Sequence, residues 1–286
     1  MAFKTYLHRL TLPSFGQEDK YIQKLRHTCY NGIYPFKLFP AKELRRLVFA
    51  PITILYGGNG SGKTTLLNII AQSTGLLRHS PFSGSAFFDD YTSMCETEGR
   101  IPLGSQILTS DDVTDYLLHI RNLNNGIDTR RTALMEEYTQ RKFSDLRFTS
   151  LADYDEWKEG YDSKTKSQSR FVKDRLMRNV DMHSNGETAL RYYTERITSG
   201  ALYLIDEPEN SLSAKMQQAL SEFLADSARF YGCQFIIATH SPFFLAMDGA
   251  KIYDLDSLPV EEAHWTELEN VRVYYDFFMQ HRGEFG

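Results

Sequence analysis

The stretch that decides the fold is 52–72, ITILYGGNGSGKTTLLNIIAQ. Ile52 to Tyr56 read as a short apolar strand, and TTLLNIIAQ reads as a helix. Between them GGNGSGKT (57–64) satisfies the spacing G-x-x-x-x-G-K-[ST]. The flanking strand and helix give that spacing its physical meaning. Glycines let the backbone curl until successive N–H groups point at phosphate oxygens, and the helix start adds its positive end. Gly57, Asn59, Gly60, Ser61, Gly62 and Thr65 are therefore expected to cradle a nucleotide. Lys63 is expected at the β- and γ-phosphates, and the Thr64 hydroxyl on Mg²⁺.

A second cluster lies in ALYLIDEPEN (201–210), where an apolar run delivers two carboxylates at the end of a strand. Parallel sheets bind ligands at that end. Asp206 is expected to hold Mg²⁺, directly or through water. Glu207 is expected to orient and deprotonate the attacking water. One strand further on, CQFIIATHSP (233–242) ends in His240. Set beside the two acids, this histidine is expected to bond the γ-phosphate or to position Glu207 and the water. Lys63, Thr64, Asp206 and Glu207 together imply nucleoside triphosphate hydrolysis.

Outward from these clusters, the rest of the chain reads as strands alternating with helices, the pattern of a parallel, three-layer α/β core. Residues 1–75 look strand-rich, through KTYLHRLTL, IYPFKLFP and LVFAPITILY. From Asp111 to about Val180 the text turns helical, and a helical subdomain is expected over about 89–184, inserted into a single domain spanning 1–286. The tail ENVRVYYDFFMQ (269–280) has helical spacing and is expected to pack on the core, with partner docking as the alternative.

Composition excludes several classes. The 286 residues are 42% hydrophobic and 24% charged, with net charge −5, which argues against a generic nucleic-acid coat protein. Cys29, Cys95 and Cys233 have no paired spacing, so neither a zinc site nor a disulfide framework is expected. No stretch approaches the roughly 20 apolar residues that cross a bilayer. A cytoplasmic protein without membrane insertion is expected.

The turn DMHSNGET (181–188) runs into the helical stretch TALRYYTERI. A helix start with a serine hydroxyl and glycine N–H groups suits an anion. Folding it back over the phosphate loop of its own chain is awkward, whereas a second copy could supply it head-to-tail. With GGNGSGKT, HSNGE, LIDEPEN and THSP in that order, the chain resembles the ABC-type ATPases, in particular a soluble, non-transporter branch akin to the ATPases of anti-phage defence. The resemblance covers essentially the whole chain. It implies ATP and Mg²⁺ as ligands and an ATP-driven homodimer. It also implies that the corner Ser184, Asn185, Gly186 and Glu187 of one protomer contacts the γ-phosphate held by the other, and that a separate effector such as a nuclease or toxin is controlled.

This sequence departs from the family pattern at several points. The family's signature, Leu-Ser-Gly-Gly-Gln, is His183-Ser184-Asn185-Gly186-Glu187 here, with Asn185 expected to tolerate a left-handed backbone. Ser213 stands where transporters carry aspartate. Gln106 is the candidate for the family's Q-loop, and Tyr34 or Phe36 for the adenine-stacking aromatic. Only 120 residues separate Lys63 from Ser184, which excludes a long coiled-coil arm. KTKSQSRFVKDRLMR (164–178) carries six basic residues and one acid and reads as a solvated face or as a surface for nucleic acid or an acidic partner. The competing functions are the energy-coupling subunit of a transporter and a DNA repair or maintenance ATPase.

Overall fold

The computed structural model describes residues 3–25, 32–82, 84–143, 154–179 and 184–285. They form two compact units, Met1–Val113 with Ser184–Gly286, and Thr114–His183. The first contains β1 (Leu7–Thr11), α1 (Phe15–Lys24), β2 (Arg46–Val48), β3 (Ile52–Tyr56), α2 (Lys63–Thr74), α3 (Phe88–Ser93), β4 (Glu96–Gly99) and β5 (Gln106–Thr109). Helix α4 (Ser110–Lys142) carries the chain into the second unit, which adds α5 (Tyr154–Thr165) and α6 (Gln168–Lys173). The first unit resumes with α7 (Asn185–Arg196), β6 (Leu202–Asp206), α8 (Ala214–Phe230), β7 (Gln234–Ala238), α9 (Pro242–Leu245), β8 (Lys251–Asp254), β9 (Glu261–Glu262) and α10 (Glu269–Gln280).

The main sheet runs β5-β6-β7-β3-β8-β9, parallel throughout except for the antiparallel edge strand β9. Every residue of β3, β5, β6 and β7 is buried. That is the condition of parallel strands covered on both faces, and it explains why these stretches read as unbroken apolar runs. Successive side chains point to opposite faces. Leu202 and Leu204 of β6, with Ile236 and Ala238 of β7, enter one core with Leu66, Leu67, Ile69 and Ile70 of α2. Tyr203, Ile205, Phe235 and Ile237 take the other face, equally buried, and α8 packs against β7. The core on the α2 side is closed by a small antiparallel sheet, β2-β1-β4, through Leu7, Leu10 and Leu47. Burying each such side chain stabilises the fold by roughly 1.5–3 kcal/mol.

The pairing register aligns the carboxyl ends of four strands. Leu55 of β3 pairs with Ala238 of β7, Ala238 with Asp206 of β6, and Asp206 with Thr109 of β5. Whatever follows these residues therefore emerges at one edge of the sheet.

Three segments differ from their sequence reading. IYPFKLFP forms turns instead of a strand: Pro35 and Pro40 lack the N–H that a ladder needs, and Lys37 is left-handed at φ 67°. Within the span 89–184, read as helical, lie strands β4 and β5. The compact helical unit begins only at Thr114. Helix α10 forms where expected but buries only Val271; Tyr274, Tyr275, Phe277 and Phe278 are about half exposed. Its helical periodicity was legible, but what would cover its apolar side was not.

The second unit has a small core of Leu134, Tyr138, Phe171 and Val172. Within its basic stretch, Arg175 lies over the Phe171 ring at 3.9 Å and bonds Asp162 at 3.0 Å. Lys166 bridges Asp162 and Asp174 at 3.2 and 3.0 Å. Cys95 and Cys233 are free thiols, and Cys29 lies outside the described residues. No described helix is long and apolar enough to cross a membrane.

Candidate active site at the carboxyl end of the sheet

The phosphate loop joins β3 to α2. Gly62, just before the helix, has φ 99°, a conformation that L side chains rarely adopt. At Gly57 the constraint is space: a Cβ there would lie 2.5 Å from Ser61 Oγ. The Lys63 ammonium is buried and donates to the carbonyls of Gly57 and Gly58 at 2.6 and 3.0 Å, with Glu207 Oε1 at 4.0 Å. Gly58 donates its N–H to Asp256 Oδ2 at 2.6 Å. A cavity of about 300 Å³ opens over the loop, lined by Gly58 through Thr65 with Tyr34, Leu38 and Glu207.

Asp206 ends β6 beneath the start of α2, and the Thr64 hydroxyl donates to its Oδ1 at 3.1 Å. Burial pushes the Asp206 carboxyl up to about 6, helped by the neighbouring charge of Glu207 and opposed by the Thr64 bond and the Lys63 ammonium. A buried acid paired with one hydroxyl suits a hard cation. No group of three or more His, Cys, Asp and Glu that could hold a metal occurs among the described residues. The Thr64 hydroxyl and the Asp206 carboxylate are a donor set that fits Mg²⁺, which is usually bound by one or two protein carboxylates with phosphate and water.

Glu207 follows at φ 47°, left-handed for a side chain that gains nothing from it locally. Such a conformation costs about 1–3 kcal/mol and gathers at functional sites. Its N–H donates to Ala238 O at 2.9 Å, and Asn210 Nδ2 donates to its Oε2 at 3.0 Å. His240 leaves β7 two residues beyond Ala238. With Gly57, Gly58, Asn59, Asp256 and Asn270 it lines a second cavity of about 360 Å³. Asn270, in the first turn of α10, donates its N–H to the Tyr56 hydroxyl at 3.0 Å and its Nδ2 to the His240 carbonyl at 2.9 Å.

Gly57 to Thr65, Asp206, Glu207 and His240 thus converge at one sheet edge. The corner Ser184–Glu187 stands elsewhere on this unit. None of its residues lines either cavity, and Ser184, Asn185 and Glu187 are exposed. Ser184 is the N-cap of α7 in a capping box. Its Oγ accepts from Glu187 N at 3.3 Å, and the Glu187 carboxylate accepts from Ser184 N and Oγ at 2.9 Å. Neither Asn185 nor Gly186 is left-handed. The expectation of a left-handed turn is corrected to an ordinary helix start. Gly186 packs closely under Met216, whose Sδ would lie 2.5 Å from a Cβ added there and would have to move aside for one. His183 lies outside the described residues, and Ser213 is the exposed N-cap of α8.

Gln106 is the clearest correction. It begins β5 and pairs with Tyr203, three residues before the Thr109–Asp206 pair. At about 3.3 Å per residue this puts it roughly 10 Å from the nucleotide edge. Its amide is spent on Arg196 O at 3.1 Å and His79 at 3.3 Å. The two aromatic candidates also separate. Phe36 is buried in the core, stacked on Tyr21 at 4.8 Å, whereas Tyr34 lines the phosphate cavity and bonds the Thr65 hydroxyl. Glu209, Asp256 and Asn270 were missed. Glu209 carried a signal as the third acid of DEPE, while the other two arrive from the far end of the chain through the pairing of β8 with β3.

A parallel sheet with this loop and these acids at its carboxyl edge makes the chain a P-loop ATPase. Residues 189–246 match the family described as "AAA domain, putative AbiEii toxin, Type IV TA system", a span running from α7 through Asp206, Glu207 and His240. Among curated proteins, none matches the sequence. Solved structures similar to this one include three at low likeness. The first is an inward-facing conformation of a putative metal-chelate type ABC transporter (18% identity, TM-score 0.38, covering 82% of this chain and 81% of that one). The second is the Smc head domain with an extended coiled coil bound to the C-terminal domain of ScpA from Pyrococcus furiosus (14%, 0.38, 81% and 94%). The third is Stu0660 of Streptococcus thermophilus (14%, 0.41, 84% and 78%). Likeness of that degree carries no argument about activity.

Proposed function

We propose that the chain hydrolyses ATP at composite sites of a head-to-tail homodimer and that closure of the dimer controls a separate effector. In this reading Lys63 and the loop N–H groups, from Gly57 through Thr65, bind the phosphates. Thr64 and Asp206 would hold Mg²⁺, which when bound neutralises charge on the phosphate oxygens. Glu207 takes the proton from the attacking water, and His240 bonds the γ-phosphate or orients the water. Ser184, Asn185, Gly186 and Glu187 of the second copy cover the open side of the triphosphate.

The observation that carries the reading is the position of that corner. It is exposed, its helix start is intact, and it lines neither cavity of its own chain. An anion-binding helix start that cannot serve its own site suits a neighbour's. The test is Glu207→Gln, expected to bind ATP, barely hydrolyse it, and run as a stable dimer by light scattering. A monomer at saturating ATP and Mg²⁺ rejects the composite site.

The effector is read as a toxin or nuclease in an anti-phage or stress response, of which only the toxin has a counterpart in the description of the matched family, "putative AbiEii toxin, Type IV TA system". Nucleic acid at 164–178 is the narrower part of the proposal, because Lys166 and Arg175 there already serve Asp162.

A further inference from the structure

His240 is held from three directions, and two of the holds come from one acid. Glu209 sits in the short 3-10 helix Pro208–Ser211, two residues past Glu207, with its side chain 7% exposed. A single carboxylate oxygen, Oε1, accepts from the Thr239 hydroxyl at 2.8 Å and from the His240 N–H at 2.9 Å. The same oxygen lies 3.3 Å from His240 Nδ1. The other oxygen, Oε2, is buried without a hydrogen-bond partner among the described residues. On the remaining side, Asn270 Nδ2 donates to the His240 carbonyl at 2.9 Å. Thr239 is fully buried, and its hydroxyl also accepts the Ser241 N–H at 3.0 Å, so the turn that carries the histidine is fixed through residue 241.

The carboxylate uses one oxygen for every bond and leaves the other unpartnered among the described residues. A buried carboxylate oxygen left unpaired costs free energy. Both donors to Oε1 come from the segment that carries the histidine, and the imidazole lies beside the same oxygen. A carboxylate oxygen beside Nδ1 favours the tautomer with its proton on that nitrogen, which leaves Nε2, on the opposite side of the ring, as the acceptor. The ring is 42% exposed and borders the cavity that also touches Gly57, Gly58 and Asn59.

We propose that Glu209 is a positioning residue for ATP hydrolysis: it fixes the rotamer and tautomer of His240 and thereby ties the segment after Glu207 to the histidine. The inference rests on the role given to His240 above. The acid touches neither substrate nor metal and acts only through the ring.

Glu209→Ala is expected to lower kcat by about tenfold to a hundredfold, the range for a displaced catalytic group, with ATP affinity within about twofold of wild type. Glu209→Gln keeps an acceptor oxygen for the three donors and is expected within about threefold of wild-type kcat. In a His240→Ala background, Glu209→Ala should cost nothing further, because the two groups act as a unit. A merely structural acid would instead lower kcat by the same factor in both backgrounds and weaken ATP binding; either result overturns the proposal. Impaired His240→Ala beside unimpaired Glu209→Ala overturns the proposal alone. His240→Ala with wild-type turnover overturns it together with the reading of the histidine. Should Glu209→Ala not fold, Glu209→Leu, which fills the space without an acceptor, takes its place: loss of kcat at unchanged ATP affinity and unchanged melting temperature supports the proposal, and wild-type kcat or melting well below wild type overturns it.

Discussion

The phosphate loop and the Ser184 corner are both helix starts, yet they are finished differently. At the loop, the end of β3 and the end of β6 bring Lys63, Thr64, Asp206 and Glu207 together, with Thr64 bonded to Asp206 and the Lys63 ammonium held by the loop's own carbonyls. At the corner, Ser184 and Glu187 satisfy each other in a capping box on an exposed surface. The first carries strain, a buried acid and a left-handed glutamate. The second is a relaxed helix end. The contrast teaches that this unit builds one helix start with strain and buried charge and the other as a relaxed, exposed end, which is what the proposed composite site requires.

Mixing variants would break or sharpen that contrast most. Lys63→Ala disables the loop. Ser184→Asp keeps an N-cap as good as serine but places negative charge where a phosphate must approach. Each alone is expected at about 1% of wild-type turnover or less. Mixed one to one, random pairing makes half the dimers heterodimers with one intact site of two, so about a quarter of wild-type turnover should return. No recovery in steady-state assays removes the shared site.

A smaller effect tests the strained half. The Asp206 carboxyl is held at about 6 against an ordinary 3.8. Below pH about 4 the folded and unfolded states are both protonated there. As pH rises towards 6 the unfolded carboxyl ionises first and stability falls, and above 6 the full penalty stands. Asp206→Asn, which keeps an acceptor for Thr64, is therefore expected to be more stable than wild type by on the order of 2–3 kcal/mol at pH 7.5 without ligand, and by less at pH 5. Urea unfolding at the two pH values checks it. A difference that shrinks as pH rises contradicts the burial account.

The smallest effect belongs to α10. Tyr275→Ser, on a ring about half exposed, is expected to change stability by less than about 0.5 kcal/mol. Val271→Ala, on the buried side, should cost roughly 2 kcal/mol. Equal costs in thermal melts would mean that the aromatic side is covered in solution.

The sequence was most informative where chemistry depends on local spacing. The loop at 57–64 and the acids at 206 and 207 are contiguous in the chain, and apolar runs on either side announce their strands. What it concealed depends on pairing across the sheet. The direction of β5 decides that Gln106 faces away from the nucleotide edge, and no residue near 106 encodes that direction. Asp256 meets Gly58 only because β8 lies beside β3. Tyr34 and Phe36 were indistinguishable as text, since two aromatics in a turn differ only in which way the turn faces. Glu209 was visible as a letter in DEPE, but its partners are thirty residues downstream.

Asn270 grips two neighbouring strand ends at once, the Tyr56 hydroxyl with its backbone and the His240 carbonyl with its side chain. Helix α10, with its exposed aromatic side, is thereby bonded to the rim from which the phosphate loop springs. A displacement of that helix would load the end of β3 and the segment after β7 together, because a single residue spans both.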